Sequence, residues 1–179
     1  MHPRETIEAF DRFLAIQGVR SELIVIGGAA LSLLGIIERP TRDCDVLDPP
    51  VDARLDACSQ EFARQRSAQG FPLAVDWLNH GPASLVQVLP VGWRQRVIPL
   101  FQGQALTLRT LGRSDLLATK VWALCDRGTD LADCIALAPT PDETTALRPW
   151  LIQQDLNPSW PEHVDAVVHD LMKRCGHGT

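Results

Sequence analysis

Two linked segments decide the reading: Glu22-Leu-Ile-Val-Ile-Gly27-Gly28-Ala-Ala-Leu-Ser32-Leu-Leu-Gly35, then Arg39-Pro40-Thr41-Arg42-Asp43-Cys44-Asp45-Val46-Leu47. An apolar strand over 22–26 ends in two glycines, the residues a tight strand-to-helix turn tolerates best. A short apolar helix over 28–35 follows, and then a second strand over 43–47 that Asp48-Pro49-Pro50 stops. Side chains alternate along a strand, so Asp43 and Asp45 share one face while Cys44 and Val46 point to the other. Two adjacent carboxylates repel unless a cation lies between them, and hard oxygen ligands suit Mg²⁺ or Mn²⁺. The glycines bring backbone N–H groups and a helix start to the same neighbourhood, which suits a phosphate. Metal and phosphate together point to nucleotide chemistry.

A third acid belongs with these two. Asp76 interrupts the apolar run Leu73-Ala-Val-Asp-Trp-Leu78, which reads as a strand over 73–78. A charge inside such a strand is costly unless it is paired or binds a metal. If 73–78 lies beside 43–47, Asp76 joins Asp43 and Asp45 on one face. Three carboxylates can hold two divalent ions, which stabilise the attacking and departing oxygens of a displacement at phosphorus. Other readings use the same residues. Asp43 could pair with Arg39 or Arg42, Asp76 could bond to an edge backbone, and a D-x-D pair also clamps metal in glycosyltransferases. The diglycine lacks the third glycine of a Rossmann fingerprint and the Gly-Lys-Ser/Thr ending of a P-loop.

The rest of the chain sets limits. Its 179 residues, 45% hydrophobic and 22% charged, suffice for a buried core and one domain with a helical appendage. A net charge of -5 argues against a general nucleic-acid coat protein. Five cysteines with no CxxC pair read as small core residues, and the five histidines show no metal-binding spacing. No apolar run is long enough to span a bilayer and the start does not read as a secretory signal, so a cytoplasmic protein without membrane contact is expected.

The periodicity predicts helices over 4–18 and 52–67 and short strands near 85–89, 95–101 and 104–108. From Gly112 the pattern turns helical: 115–126 with Ser114 as N-cap, 130–138, 142–154 and 161–174. The expected fold is α+β. Residues 1–111 form a small mixed or antiparallel sheet with flanking helices, and residues 112–179 form a helical lobe packed on it.

The series strand, Gly27-Gly28, short helix, Asp43-x-Asp45 and later Asp76 resembles the polymerase-beta-like nucleotidyltransferases. Within that superfamily, Gly27 to Gly35 followed by Arg39-x-Thr41-x-Asp43-x-Asp45 is similar to the bacterial AbiE-type toxin nucleotidyltransferases and their relatives. A second block, Ser114 to Lys120 and Arg127 to Asp133, resembles the family's helical motif of a lysine, an arginine and two acids. The resemblance implies that Asp43, Asp45 and Asp76 bind Mg²⁺ or Mn²⁺, with Asp76 drawing the proton from an acceptor hydroxyl. It implies that Gly27, Gly28, Lys120, Arg127 and Asp130 lie about the nucleotide, Lys120 on the triphosphate. Many active members carry serine where Gly28 stands, and Ser32, one helical turn on, is the candidate replacement.

By the same resemblance the substrate is an NTP, and the acceptor is RNA such as a tRNA end, a protein hydroxyl or a small molecule. An antitoxin partner follows from the toxin-antitoxin setting. Arg94 and Arg96 beside Trp93, with Arg109 and Arg113, could line an edge for RNA. The alternative is a degenerate nucleotidyltransferase fold that binds a nucleotide or a partner protein without catalysis, with tryptophans such as Trp150 and Trp160 marking the partner surface.

Overall fold

The computed structural model describes residues 1–177. They form two compact units, one of residues 1–87 with 94–111 and one of residues 88–93 with the described residues from 112 onward. The architecture is α+β: a five-stranded mixed sheet with flanking helices, followed by C-terminal helices. No helix among the described residues is long and apolar enough to cross a membrane.

In the first unit, α1 (Pro3–Ile16) leads into β1 (Ser21–Ile26), α2 (Gly27–Leu33), β2 (Cys44–Asp48) and α3 (Ala53–Ala68). Then come β3 (Leu78–Asn79) and a hairpin of β4 (Ile98–Gln102) with β5 (Leu106–Thr110). The sheet order is β3-β2-β1-β5-β4. Strand β1 pairs antiparallel with β2 and parallel with β5, and β2 pairs parallel with β3.

One face of this sheet makes the core. Leu23, Val25, Cys44, Val46, Leu106 and Leu108 from the strands meet Ile7, Phe10 and Leu14 of α1 and Leu55 and Phe62 of α3. The three-and-four spacing along α1 is the period that puts one stripe of a helix inward. Trp77 is fully enclosed there, its ring 5.0 Å from Phe10 edge-on and its indole N–H donating to the Ser59 carbonyl.

Two expected strands are absent. Residues 73–78 do not form one: 75–76 make a turn, and only Leu78–Asn79 pair. The cause is Trp77, whose ring needs the core while its N–H bonds back to the Ala74 carbonyl. Residues 85–89 lie not in a strand but partly in a 3₁₀ helix, Gly81–Gln87, whose first N–H is capped by the Asn79 side chain.

An acid in α1 ties the unit together. Asp11, nearly buried, accepts from the backbone N–H groups of Gln104, Ala105 and Leu106 at 3.1, 2.8 and 2.8 Å. A β-carbon on Gly103 would overlap this carboxylate, so glycine is required in the turn. Burial alone would raise the Asp11 pKa, but the three donors outweigh it and hold it below the ordinary aspartate value. The Asp11 anion therefore adds stability that is complete above its unfolded pKa and is lost as pH falls through its lower folded pKa. Asp11→Ala strands two buried donors and one partly buried one and is expected to cost about 2–3 kcal/mol at neutral pH. Denaturant melts from pH 7 to pH 3 should show the variant's deficit shrinking in acid.

The second unit contains α4 (Arg113–Arg127), α5 (Leu131–Leu137), α6 (Pro141–Leu151) and α7 (Trp160–Arg174). Gly112, not Ser114, is the N-cap of α4, and no side chain caps it. Thr140 and Glu143 form a reciprocal capping box that starts α6. A paired contact of Arg148 with Asp165, at 2.6 and 2.7 Å, joins α6 to α7. Trp160 is buried and donates to the Leu151 carbonyl, while Trp122 and Trp150 pack edge-on. These tryptophans serve packing within the unit.

Candidate functional site

The β1–β2 ladder sets Ile26 opposite Asp45, which delivers the Asp45 carboxylate to the residue after Ile26. That residue, Gly27, has φ +76°, in the left-handed region that side chains disfavour. A β-carbon built on Gly27 would sit 2.5 Å from Asp45 Oδ2. Glycine is thus needed twice, for the turn and for the approach of the carboxylate. At Gly28 a β-carbon would lie 3.1 Å from Thr41 Cγ2 and 4.0 Å from Arg39 Nη2. The diglycine is a bare stretch of backbone on which segment 39–45 closes.

Thr41 fixes that segment. Its side chain is buried, its hydroxyl donates to the Asp43 carbonyl at 3.2 Å, and its N–H donates to the Met1 carbonyl. Asp43 and Asp45 are half-buried, whereas Cys44 and Val46 are fully enclosed. Burial drives the Cys44 thiol far above its ordinary range, and the charges of Asp45 and Asp43 drive it further. The Asp45 carboxylate therefore stands on the sheet face opposite the core, beside Gly27, while Asp43, expected in the strand, lies just before it because β2 begins at Cys44. Ser32 is half-buried one turn along α2.

Gly27→Ala separates strain from crowding when set against Gly18→Ala. Gly18 also has positive φ, +63°, but no atom lies within 4 Å of a β-carbon there. Gly18→Ala is expected to cost about 1 kcal/mol of stability, and Gly27→Ala about 2–3 kcal/mol because Asp45 must also move. Chemical denaturation measures both.

Asp76 does not join the pair. It is exposed on the turn before β3, and among the described residues no three His, Cys, Asp or Glu side chains come together as a metal-binding group. Strand parity explains this. Strand β3 sets Leu78 beside Cys44 and Asn79 beside Asp45, and neighbours across a ladder share a face. The place expected for a third carboxylate falls to Asn79, with its side-chain oxygen 2.9 Å from the Gly81 nitrogen. Sequence reasoning missed Asn79. The usable signal was its position two residues before Gly81-Pro82, where an Asn side chain commonly caps a turn.

The helical block forms its own cluster within the second unit. Lys120 is buried, with Nζ 2.7 Å from Asp133 Oδ2 and 3.2 Å from Asp130 Oδ1. Asp130 itself takes φ +68° at the start of α5. The Lys120 charge is thus held by two acids. Arg127 is exposed at the end of α4 and lies 4.0 Å from Asp126 rather than against Asp130. The arginines considered for RNA are also engaged: Arg94 with Asp48 at 3.3 Å, Arg109 with Glu22 at 3.8 Å, and Arg113 with Glu143 at 2.7 Å.

The Asp43–Asp45 pair suits a divalent cation. Mg²⁺ is commonly held by one or two carboxylates, with water and substrate phosphates completing its shell. The backbone at Gly27, without a β-carbon, lets the Asp45 carboxylate come closer to the turn than any side chain there would allow.

The family model described as "Nucleotidyltransferase of unknown function (DUF6036)" matches residues 5–138. Neither a curated protein nor a solved structure matches the chain.

Proposed function

Because the chain belongs to this family, described as nucleotidyltransferases of unknown function, we propose that it moves a nucleoside monophosphate from an NTP to a hydroxyl acceptor with the help of Mg²⁺ or Mn²⁺. The observation that carries the reading is the Asp45 carboxylate seated against Gly27, with the half-buried Asp43 two residues before it at the entry to β2. Asp43 and Asp45 would hold the cation, which neutralises charge on the phosphates when bound. Gly27 and Gly28 open α2 and carry no side chain of their own, so their backbone N–H groups are the proposed partners of phosphate oxygens. The Arg39 guanidinium, near Gly28, adds positive charge on the same side.

In the reaction the acceptor oxygen forms a bond to the α-phosphorus while the bond to the bridging oxygen breaks. Pyrophosphate leaves, and the acceptor proton passes to solvent. Positioning and electrostatics supply most of the acceleration in such transfers. The protein's part is to hold the two carboxylates and the bare turn in fixed register. A tRNA end, a protein hydroxyl or a small molecule as acceptor, an antitoxin partner and a cytoplasmic setting belong to the same proposal, on the AbiE-type resemblance.

The test supplies each α-labelled NTP with Mg²⁺ and, separately, total RNA, total protein and a small-molecule extract. Release of pyrophosphate with label on one fraction supports the proposal. Failure to bind any NTP in the presence of metal defeats it. One observation favours a second reading, a nucleotide-binding module without catalysis: an amide, Asn79, stands beside Asp45 in place of a third acid. That reading predicts NTP binding with no pyrophosphate.

A further inference from the structure

Resting on the metal-binding site just proposed, we infer that this site holds one divalent cation per chain, not two, because Asn79 occupies the register position beside Asp45 where a third carboxylate would be needed. Three observations carry this. The β2–β3 register puts Asn79 beside Asp45 on the face of the carboxylate pair. The Asn79 Oδ1 already accepts from the Gly81 N–H at 2.9 Å, and the side chain at this register position is a neutral amide, not an anion. Asp76, the acid that would supply the missing charge, is exposed on a turn whose geometry is fixed by the buried Trp77 ring.

Charge decides the outcome. Paired divalent ions in a phosphoryl-transfer site stand about 3.5–4 Å apart and repel one another. Bridging and terminal carboxylates are what offset that repulsion, and this site provides two where the two-ion arrangement expects three. One cation can still be held by Asp43 and Asp45 with nucleotide phosphates, as Mg²⁺ sites commonly are. The same register makes a specific prediction about gain of a site. An aspartate at 79 would keep an oxygen for the Gly81 N–H and add a negative oxygen beside Asp45.

Equilibrium dialysis of the full chain with Mn²⁺ and an NTP analogue carrying an α,β-methylene bridge counts the ions retained per chain, with EPR as the second readout. The expected counts are one for the wild type, one for Asn79→Ala and two for Asn79→Asp. Spin coupling between neighbouring Mn²⁺ ions should appear only in Asn79→Asp. Two ions on the wild type overturn the inference, as does a folded Asn79→Asp that still holds one. No ion on any of the three removes the underlying metal-site reading as well, an outcome distinct from the count of two. If Asn79→Asp does not fold, the wild-type count alone decides.

Discussion

Replacing Asp45 by asparagine is expected to reduce nucleotidyl transfer about a thousandfold, a loss of about 4 kcal/mol of transition-state stabilisation. The amide has nearly the same shape as the carboxylate, so it can remain against Gly27, where the side chain lies within van der Waals reach of the turn. What changes is charge: a divalent cation loses one of two anionic ligands. Asp43→Asn should act comparably, because the two half-buried residues flank the same buried Cys44. Asp76→Asn is the control. Exposed on its turn, it should change the rate by less than about twofold. Equal losses at 45 and 76 would mean that the turn before β3 closes onto the site on binding, and survival of transfer in Asp45→Asn would remove the chemistry. Mn²⁺ affinity, measured without any acceptor, gives a readout for the same variants before the acceptor is known.

Local pattern made the elements near the site legible. The apolar run before Gly27 and the stop at Pro49-Pro50 bound β1 and β2 to within a residue, and alternation alone separated Asp43 and Asp45 from Cys44 and Val46. The helices of the second half follow from their apolar period and from the prolines between them. What failed depended on partners distant in sequence. The apolar stretch before Leu78 looks like a strand, but the depth to which Trp77 is drawn into the Phe10 and Phe62 cluster has no local signature. Once that ring is fixed, Asp76 is turned outward and strand parity passes its place to Asn79. Asp11 is a similar case. On α1 it reads as one more surface acid, and its three donors lie more than ninety residues on. Lys120 shows the limit of a motif carried over by resemblance. The spacing to Asp130 and Asp133 was visible, but whether the ammonium faces a ligand or those acids is set by packing.

Lys120→Ala should destabilise the protein by about 3–5 kcal/mol, the usual consequence of removing one partner from a buried ion pair. Asp133 is 1% exposed, and the variant takes away the ammonium 2.7 Å from its carboxylate in a site that water barely reaches. Asp130, at 3.2 Å and more open to solvent, loses less. The pair need not add net stability over a well-packed apolar pair, because desolvating both charges offsets much of their attraction. That sets a second expectation: Lys120→Met combined with Asp133→Leu should recover much of what Lys120→Ala loses. Denaturant midpoints for the single and double variants close the cycle. A contact with the nucleotide would behave differently. It would lower NTP affinity in Lys120→Ala with little change in the unfolding midpoint, and the double variant would not restore binding. Since both acids already lie within ion-pair distance of Nζ, the ammonium would have to break its buried contact with Asp133 to reach a triphosphate, and the cost of separating that pair opposes the move.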